Sequence, residues 1–130
     1  MIHGLNHVTV RAPRPLLDAV RNFYCDVLGL VEGDRPPFSG FGWWLYPPEG
    51  TTAAVHLFVP ADDDTRPIDG VNSMDHFAFT ASSRSTVEAR LIRNSIPFRR
   101  SDVPGRTLIQ LFLQDPAGNT VELVFADTDS

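Results

Sequence analysis

The sequence predicts an α+β fold of two tandem βαβββ modules, in which curved mixed sheets form a cup and the helices lie outside. The first observation is that the order strand, helix, strand, strand, strand occurs twice along the 130 residues. The second is that short motifs of the first half recur in the second half, as in an internal structural repeat. The matching motifs are Asn6-His7-Val8-Thr9-Val10 with Asp75-His76-Phe77-Ala78-Phe79, and Val55-His56-Leu57 with Val121-Glu122-Leu123.

A polar stretch separates the two copies. Residues 60–73 contain three consecutive aspartates, two prolines and a glycine, with few apolar side chains to bury. That composition is typical of a linker or a surface loop. We therefore expect module 1 to span residues 1–59 and module 2 to span residues 74–130, within a single domain of residues 1–130.

Periodicity predicts the elements of the first module in turn. Residues 5–11 alternate as a strand, and Pro13 and Pro15 end it. Apolar side chains recur at steps of three and four over residues 16–28, which predicts an amphipathic helix that ends at Gly29. A short strand at 30–32, an aromatic strand at 42–46 and an apolar strand at 53–59 follow, separated by loops rich in proline and glycine.

The second module repeats this order. Residues 74–80 predict a strand, and Ser85-Thr86-Val87-Glu88 has the spacing of a capping box that opens a helix. Strands are then predicted at 98–101, 107–114 and 120–125, with turns at 103–105 and 115–119.

Composition and charge exclude several classes of protein. A net charge of −5 argues against a nucleic-acid or anionic membrane surface. No apolar run reaches the ~18 residues of a spanning helix, and the N-terminus lacks the pattern of a signal peptide. The single Cys25 cannot form an internal disulfide. We therefore expect a cytoplasmic protein.

Four polar side chains occupy otherwise apolar strands. Glu122 lies between Val121 and Leu123, where a carboxylate is costly unless a cation meets it. Alternation along the strands turns the apolar residues toward the helices and the polar residues toward the opposite face. The four residues are His7, His56, His76 and Glu122, and they occupy equivalent positions of the two repeats. If the sheets curl into a cup, the four side chains converge.

These four side chains predict a shared metal site. Three imidazoles and a carboxylate are a nitrogen and oxygen ligand set suited to a divalent ion such as Zn, Ni, Co, Fe or Mn. Taken singly, each histidine is more often a hydrogen-bonded core or rim residue, and a lone glutamate is more often at a solvated edge. Their joint placement favours ligation. His3 lies in the terminal segment and is interpreted as a surface residue.

The same alternation predicts the wall of a substrate pocket. The side chains that share the cup face with the ligands are Trp44, Tyr46, Phe58, Gln110, Phe112 and Val124. A largely aromatic wall suits an apolar or aromatic substrate that carries oxygens. For Trp44 and Phe112, ordinary sheet packing is the alternative. Arg11 and Arg106 are candidates for holding an acidic substrate group, although a solvated role is the simpler interpretation for both.

The chain resembles the vicinal oxygen chelate superfamily, which includes glyoxalase I, methylmalonyl-CoA epimerase, extradiol dioxygenases, fosfomycin-resistance transferases and bleomycin-resistance proteins. The resemblance covers nearly the whole chain. It is carried by the segments 5–10, 23–30, 74–79 and 112–123, which read LNHVTV, FYCDVLGL, MDHFAF and FLQDPAGNTVEL. Carried over to this sequence, the metal ligands of the family fall on His7, His56, His76 and Glu122.

The resemblance implies a metal-dependent, glyoxalase-like lyase or isomerase that chelates a small substrate through adjacent oxygens. Glu122 is then both a ligand and the candidate catalytic proton shuttle. His56 departs from glyoxalase I, which usually has glutamate there, so only one carboxylate remains in the set. One alternative is an Fe(II) or Mn extradiol-type dioxygenase, because His7, His76 and Glu122 form a two-histidine, one-carboxylate set. Another is a non-catalytic protein that binds a small molecule or drug.

The family also implies a way of pairing the modules. One module alone exposes a sheet face, so two modules must pair, either within a chain or across a homodimer. Dimers are common in the family, so we expect a homodimer, in which one metal site can combine ligands from two chains.

Overall fold

A computed structural model of the protein describes residues 1–68 and 73–129. The chain divides into two compact units, one on each side of the gap between these ranges, and each unit contains its own sheet. Part of the predicted linker at 60–73, residues 69–72, lies outside the described residues, as does the last residue of predicted module 2.

The first unit has the predicted βαβββ order. Its elements are β1 (Val8–Arg11), α1 (Arg14–Asn22), β2 (Val31–Gly33), β3 (Gly42–Tyr46) and β4 (Val55–Phe58). The sheet order is β1-β4-β3-β2, with β1 and β4 parallel and the other pairs antiparallel. Sequence periodicity therefore predicts the order of helix and strands correctly, with strand ends that shift by at most three residues.

A π-helical segment, Phe23–Val27, continues α1. Apolar spacing alone predicts one continuous helix over 16–28, because the buried stripe runs through both parts. Leu17 and Val20 are fully buried on α1, and Tyr24 is fully buried on the π-helical segment. Gly29 then ends the helix with a φ of +85°, a conformation that favours glycine.

The second unit repeats the architecture. Its elements are β5 (Phe77–Thr80), α2 (Arg84–Arg93), β6 (Phe98–Asp102), β7 (Leu108–Gln114) and β8 (Thr120–Ala126). The sheet order β5-β8-β7-β6 matches that of the first unit, again with one parallel pair, β5 with β8. The fold is thus α+β with two tandem βαβββ units, as predicted. No helix within residues 1–68 or 73–129 has the length and apolar character needed to cross a bilayer.

The predicted capping box at Ser85 is wrong. Helix α2 begins at Arg84, and its N-cap is Ser83, which has a φ of 59° and no side-chain capping bond. The Ser83 N–H instead donates to the carboxylate of Asp129, 46 residues along the chain. Glu88 pairs with Arg84 one turn away at 3.1 Å. A carboxylate distant in sequence thus accepts the N-cap N–H, which is the bond that the predicted capping box would give to Glu88.

Strand register confirms that the two repeats are equivalent. Across the parallel strands, Thr9 is opposite His56 in the first sheet, and Ala78 is opposite Glu122 in the second. Across the antiparallel strands, Trp44 is opposite His56 and Phe112 is opposite Glu122. The predicted apolar face is also confirmed. The buried apolar side chains on the last strands are Val55, Leu57, Val121, Leu123 and Phe125.

Candidate metal site

The first unit brings His7 and His56 into contact. His7 lies just before β1, two residues before Thr9, so it shares a sheet face with Thr9 and with His56 opposite. The two imidazole rings stack with centroids 3.7 Å apart and planes 13° apart. Trp44 stacks on His56, with centroids 3.9 Å apart. His56 is therefore held between an imidazole and an indole ring.

The surroundings of His56 favour its neutral form. Burial lowers the pKa of His56, and the neighbouring His7 lowers it further. A backbone hydrogen bond to Ala53 partly opposes this shift. A neutral imidazole retains a nitrogen lone pair, which is the form that binds a metal ion.

The second unit brings His76 and Glu122 into contact. Glu122 is only 5% exposed, although its side chain is on the face of the sheet opposite the helix. One of its oxygens, Oε2, lies 2.9 Å from Nε2 of His76. The other, Oε1, accepts a hydrogen bond of 2.5 Å from Nε2 of Gln110. The costly carboxylate that stands out in the sequence therefore has both of its oxygens bonded.

Two carboxylates raise the pKa of His76. The largest cause is the hydrogen bond with Asp75, and Glu122 adds to it by charge and by its own hydrogen bond. The proton that these carboxylates favour on His76 would compensate the charge of Glu122. A divalent ion would compensate the same carboxylate and release that proton.

The residue before each first-strand histidine orients its ring. Asn6 Oδ1 lies 2.7 Å from Nδ1 of His7, and Asp75 Oδ2 lies 2.7 Å from Nδ1 of His76. Metal-binding histidines commonly donate one ring nitrogen to such an acceptor, which leaves the other nitrogen for the metal. With Nδ1 occupied, Nε2 is the ligand atom left on each ring, and on His76 it is the atom that contacts Glu122. The side chains present therefore fit a divalent ion.

Each unit contains half of the predicted ligand set. Within neither unit do the described residues gather three or more His, Cys, Asp or Glu side chains suited to hold a metal ion. The set of four remains a prediction that requires the two pairs to meet. His3 is exposed, as the sequence predicts for a surface residue.

The predicted wall residues fall into three groups. Trp44 and Phe58 line a cavity of about 290 Å³ beside His56, and Phe112 lines one of about 570 Å³ beside Asp75. Gln110 is bonded to Glu122, and Val124 is the residue opposite Gln110. Tyr46 lines neither of these cavities, because its hydroxyl donates to the Asp34 carbonyl at 2.5 Å.

Sequence reasoning misses three side chains around these residues. Asn6 and Asp75 could have been found, because each precedes a repeat-equivalent histidine. Arg35 lines the cavity beside His56 but lies in an irregular loop, where periodicity carries no signal. The arginines considered from sequence lie elsewhere. Arg11 donates to the Arg66 and Pro67 carbonyls, and Arg106 is exposed in a turn.

Solved structures with the same fold include three from bacteria. A lactoylglutathione lyase from Agrobacterium tumefaciens is 26% identical, with a TM-score of 0.66 over 94% of this chain and 92% of that one. A glyoxylase/bleomycin resistance protein/dioxygenase domain from Frankia sp. EAN1pec is 20% identical, with a TM-score of 0.74 over 97% and 93%. The fosfomycin resistance protein FosX from Listeria monocytogenes is 16% identical, with a TM-score of 0.66 over 95% and 91%.

The family follows from a match that covers most of the chain. Comparison with curated proteins gives no match. The family description matches residues 4–123, a range that contains all four predicted ligands and most of both units. The chain belongs to the Glyoxalase/Bleomycin resistance protein/Dioxygenase superfamily.

Proposed function

We propose that the protein is a metal-dependent, glyoxalase-like lyase or isomerase that acts on a small substrate chelated through two adjacent oxygens. The proposed ligands are His7, His56, His76 and Glu122, with Glu122 also moving the proton. The proposal requires the two pairs to meet around one ion, either within a chain or across a homodimer.

The observation that carries the proposal is the equivalent geometry of the two pairs. In each unit a histidine just before the first strand contacts a polar side chain in the last strand. The contacts are a ring stack in the first unit and a 2.9 Å nitrogen–oxygen contact in the second. A solvated or purely structural role gives no reason for the same pairing to recur at the same register. A metal ion bound by both pairs does give such a reason.

The bound ion would act as a Lewis acid on the chelated oxygens. The protein's own contribution is to position the donors and the base. Gln110 holds Oε1 of Glu122, so Oε2 is the oxygen on the side of His76. Burial of Glu122 keeps bulk water away from this carboxylate. A carboxylate held in this way can take a proton from one carbon of a substrate and return it to the next.

Relatives support this class of reaction. The Agrobacterium protein is a lactoylglutathione lyase, and it aligns with 94% of this chain. His76 belongs to the ligand sets of both the lyase and the dioxygenase, so it does not favour either. The strand opposite contributes Gln110 and Phe112, and neither can act as a general acid or base near neutral pH.

Metal stoichiometry tests the proposal. Protein purified without chelator is stripped and then reconstituted separately with Zn, Ni, Co, Mn and Fe(II), and bound metal is measured by elemental analysis. We expect about one ion per chain for at least one metal. The variant His7→Gln should lose most of that metal, while the matched variant His3→Gln should retain it, because His3 is exposed outside the proposed set.

Turnover then distinguishes the reaction classes. The loaded protein is assayed with lactoylglutathione, and oxygen uptake is followed with catechol. Activity with Zn, Ni or Co and no oxygen uptake supports the lyase or isomerase. Oxygen uptake restricted to Fe(II) or Mn would replace it by the dioxygenase. Less than roughly 0.1 ion per chain with every metal would overturn the ligand set.

A further inference from the structure

The cavity beside His56 is lined by a cationic side chain, Arg35, that has no role in the proposed reaction. Its volume is about 290 Å³, which suits a small ligand. Its lining residues are Thr9, Arg35, Phe38, Gly40, Trp44, His56, Leu57 and Phe58. Arg35 is the one side chain among these that carries a permanent charge, and the remainder of the lining is largely apolar.

The Arg35 guanidinium is held in place without a counter-ion. Nη1 donates to the Gly40 carbonyl at 3.1 Å, and Cζ lies 5.2 Å from the centre of the Phe38 ring. Nε is buried and has no acceptor. Among the described residues, no carboxylate lies within ion-pair distance of Arg35, whereas other arginines of the first unit, such as Arg14 and Arg21, do form such pairs. A partly buried, unpaired charge needs an explanation.

Strand register identifies the residue of the second unit whose position is equivalent to the one beside Arg35. Gly42 is opposite Phe58 in the first sheet, and Gln110 is opposite Val124 at the equivalent position of the second. Gln110 supplies the polar group beside Glu122. Gly42 has no side chain, and a Cβ built there would lie 2.1 Å from the Leu57 carbonyl and 3.0 Å from Arg35 Nη2. The guanidinium thus covers the place that the equivalent side chain occupies in the second unit.

We infer that Arg35 forms a subsite for an anionic group, such as a carboxylate, on an apolar or aromatic substrate. A guanidinium binds a carboxylate through charge-assisted hydrogen bonds, and an anion placed here would supply the missing counter-charge. The rings of Phe38, Trp44 and Phe58 would contact the body of the ligand. The inference deepens the proposed function and rests on it for the chelating end of the substrate, whereas the anion subsite itself needs no metal.

The test compares benzoate with benzamide, which has nearly the same shape but no charge. Binding to the metal-free protein is measured by NMR titration at pH 8, above the ordinary histidine pKa of about 6.5. We expect benzoate to bind about tenfold more tightly than benzamide, because only benzoate offers a charged acceptor to the Arg35 guanidinium. Arg35→Gln should abolish that preference and Arg35→Lys should retain part of it. Arg106→Gln, with the same loss of charge at an exposed turn, should leave it unchanged.

Salt dependence tests the inference in the wild-type protein, in case Arg35→Gln does not fold. Raising the salt concentration should weaken benzoate binding and leave benzamide binding unchanged. Equal affinities of the two ligands, no detectable binding of either, or a benzoate preference that persists in folded Arg35→Gln would each overturn the inference. None of these outcomes bears on metal stoichiometry, so this subsite and the proposed metal site can fail separately.

Discussion

The two units present the same backbone register but different electrostatics. In the first, His56 lies between the rings of His7 and Trp44, and burial lowers its pKa. In the second, Glu122 takes the place of His56, and it helps to raise the pKa of His76. The comparison teaches that two repeats can keep the same strand register while equivalent positions carry different chemical groups. The first unit presents two imidazole rings, and the second presents one imidazole ring and the carboxylate.

The largest effect should come from removing that charge. Glu122→Gln keeps the shape of the side chain and deletes the carboxylate, so we expect metal affinity to fall by more than about 100-fold and turnover to be lost. Affinity is measured by competition with a chromogenic chelator. Glu88→Gln is the matched control on α2, where the carboxylate pairs with Arg84. An affinity within threefold of wild type would remove Glu122 from the ligand set.

The side chains that contact Nδ1 of His7 and His76 differ between the two units, and either of two single substitutions would make them the same. Asp75 and Asn6 hold Nδ1 of equivalent histidines, but only Asp75 is charged. Asp75→Asn should weaken metal binding by roughly tenfold, and Asn6→Asp should strengthen it, because a carboxylate makes the bonded imidazole a better donor. The same chelator competition measures both. Changes in the same direction for the two variants would contradict this role.

The smallest effect is a difference in titration between two histidines. In the metal-free protein, His76 should titrate above the ordinary histidine pKa of about 6.5 and His56 below it. Protonated His76 therefore stabilises the fold at low pH, and this contribution is lost as the pH rises through its raised pKa. His56 acts in the opposite sense, because the fold loses stability as falling pH drives protonation of this partly buried ring. NMR of the imidazole C–H resonances, assigned with His56→Gln and His76→Gln, measures both, and the reverse order would refute the contrast.

Sequence alone predicts the frame of this molecule well. The repeat and the alternation predict the order of elements, the buried face, and the placement of His7, His56, His76 and Glu122 on the opposite face of their sheets. These features are predictable because they depend on local periodicity and on the match between corresponding residues of the two repeats. The exposed His3 is also placed correctly.

Features that depend on contacts distant in sequence are not predictable in this way. The start of α2 depends on Asp129, which bonds the Ser83 N–H from the far end of the unit. The π-helical segment keeps the apolar stripe of an α-helix, so spacing cannot reveal it. Arg35 lies in an irregular loop, where neither period applies. The sequence interpretation of Arg11 is a solvated side chain or, as the alternative, an anion site, and neither includes the loop carbonyls that accept from its guanidinium.

The absence of a side chain at Gly42 has a consequence for engineering. Because a Cβ there would collide with the Leu57 carbonyl, the first sheet cannot carry its own polar group at that position. The group comes instead from residues 34–41, the connection between β2 and β3. Ligand preference in this half can therefore be retargeted by grafting a loop. In the second half, the corresponding polar group is Gln110 on β7. Its neighbours Ile109 and Leu111 are buried in the core, so a change of ligand preference there requires substitutions within a core strand.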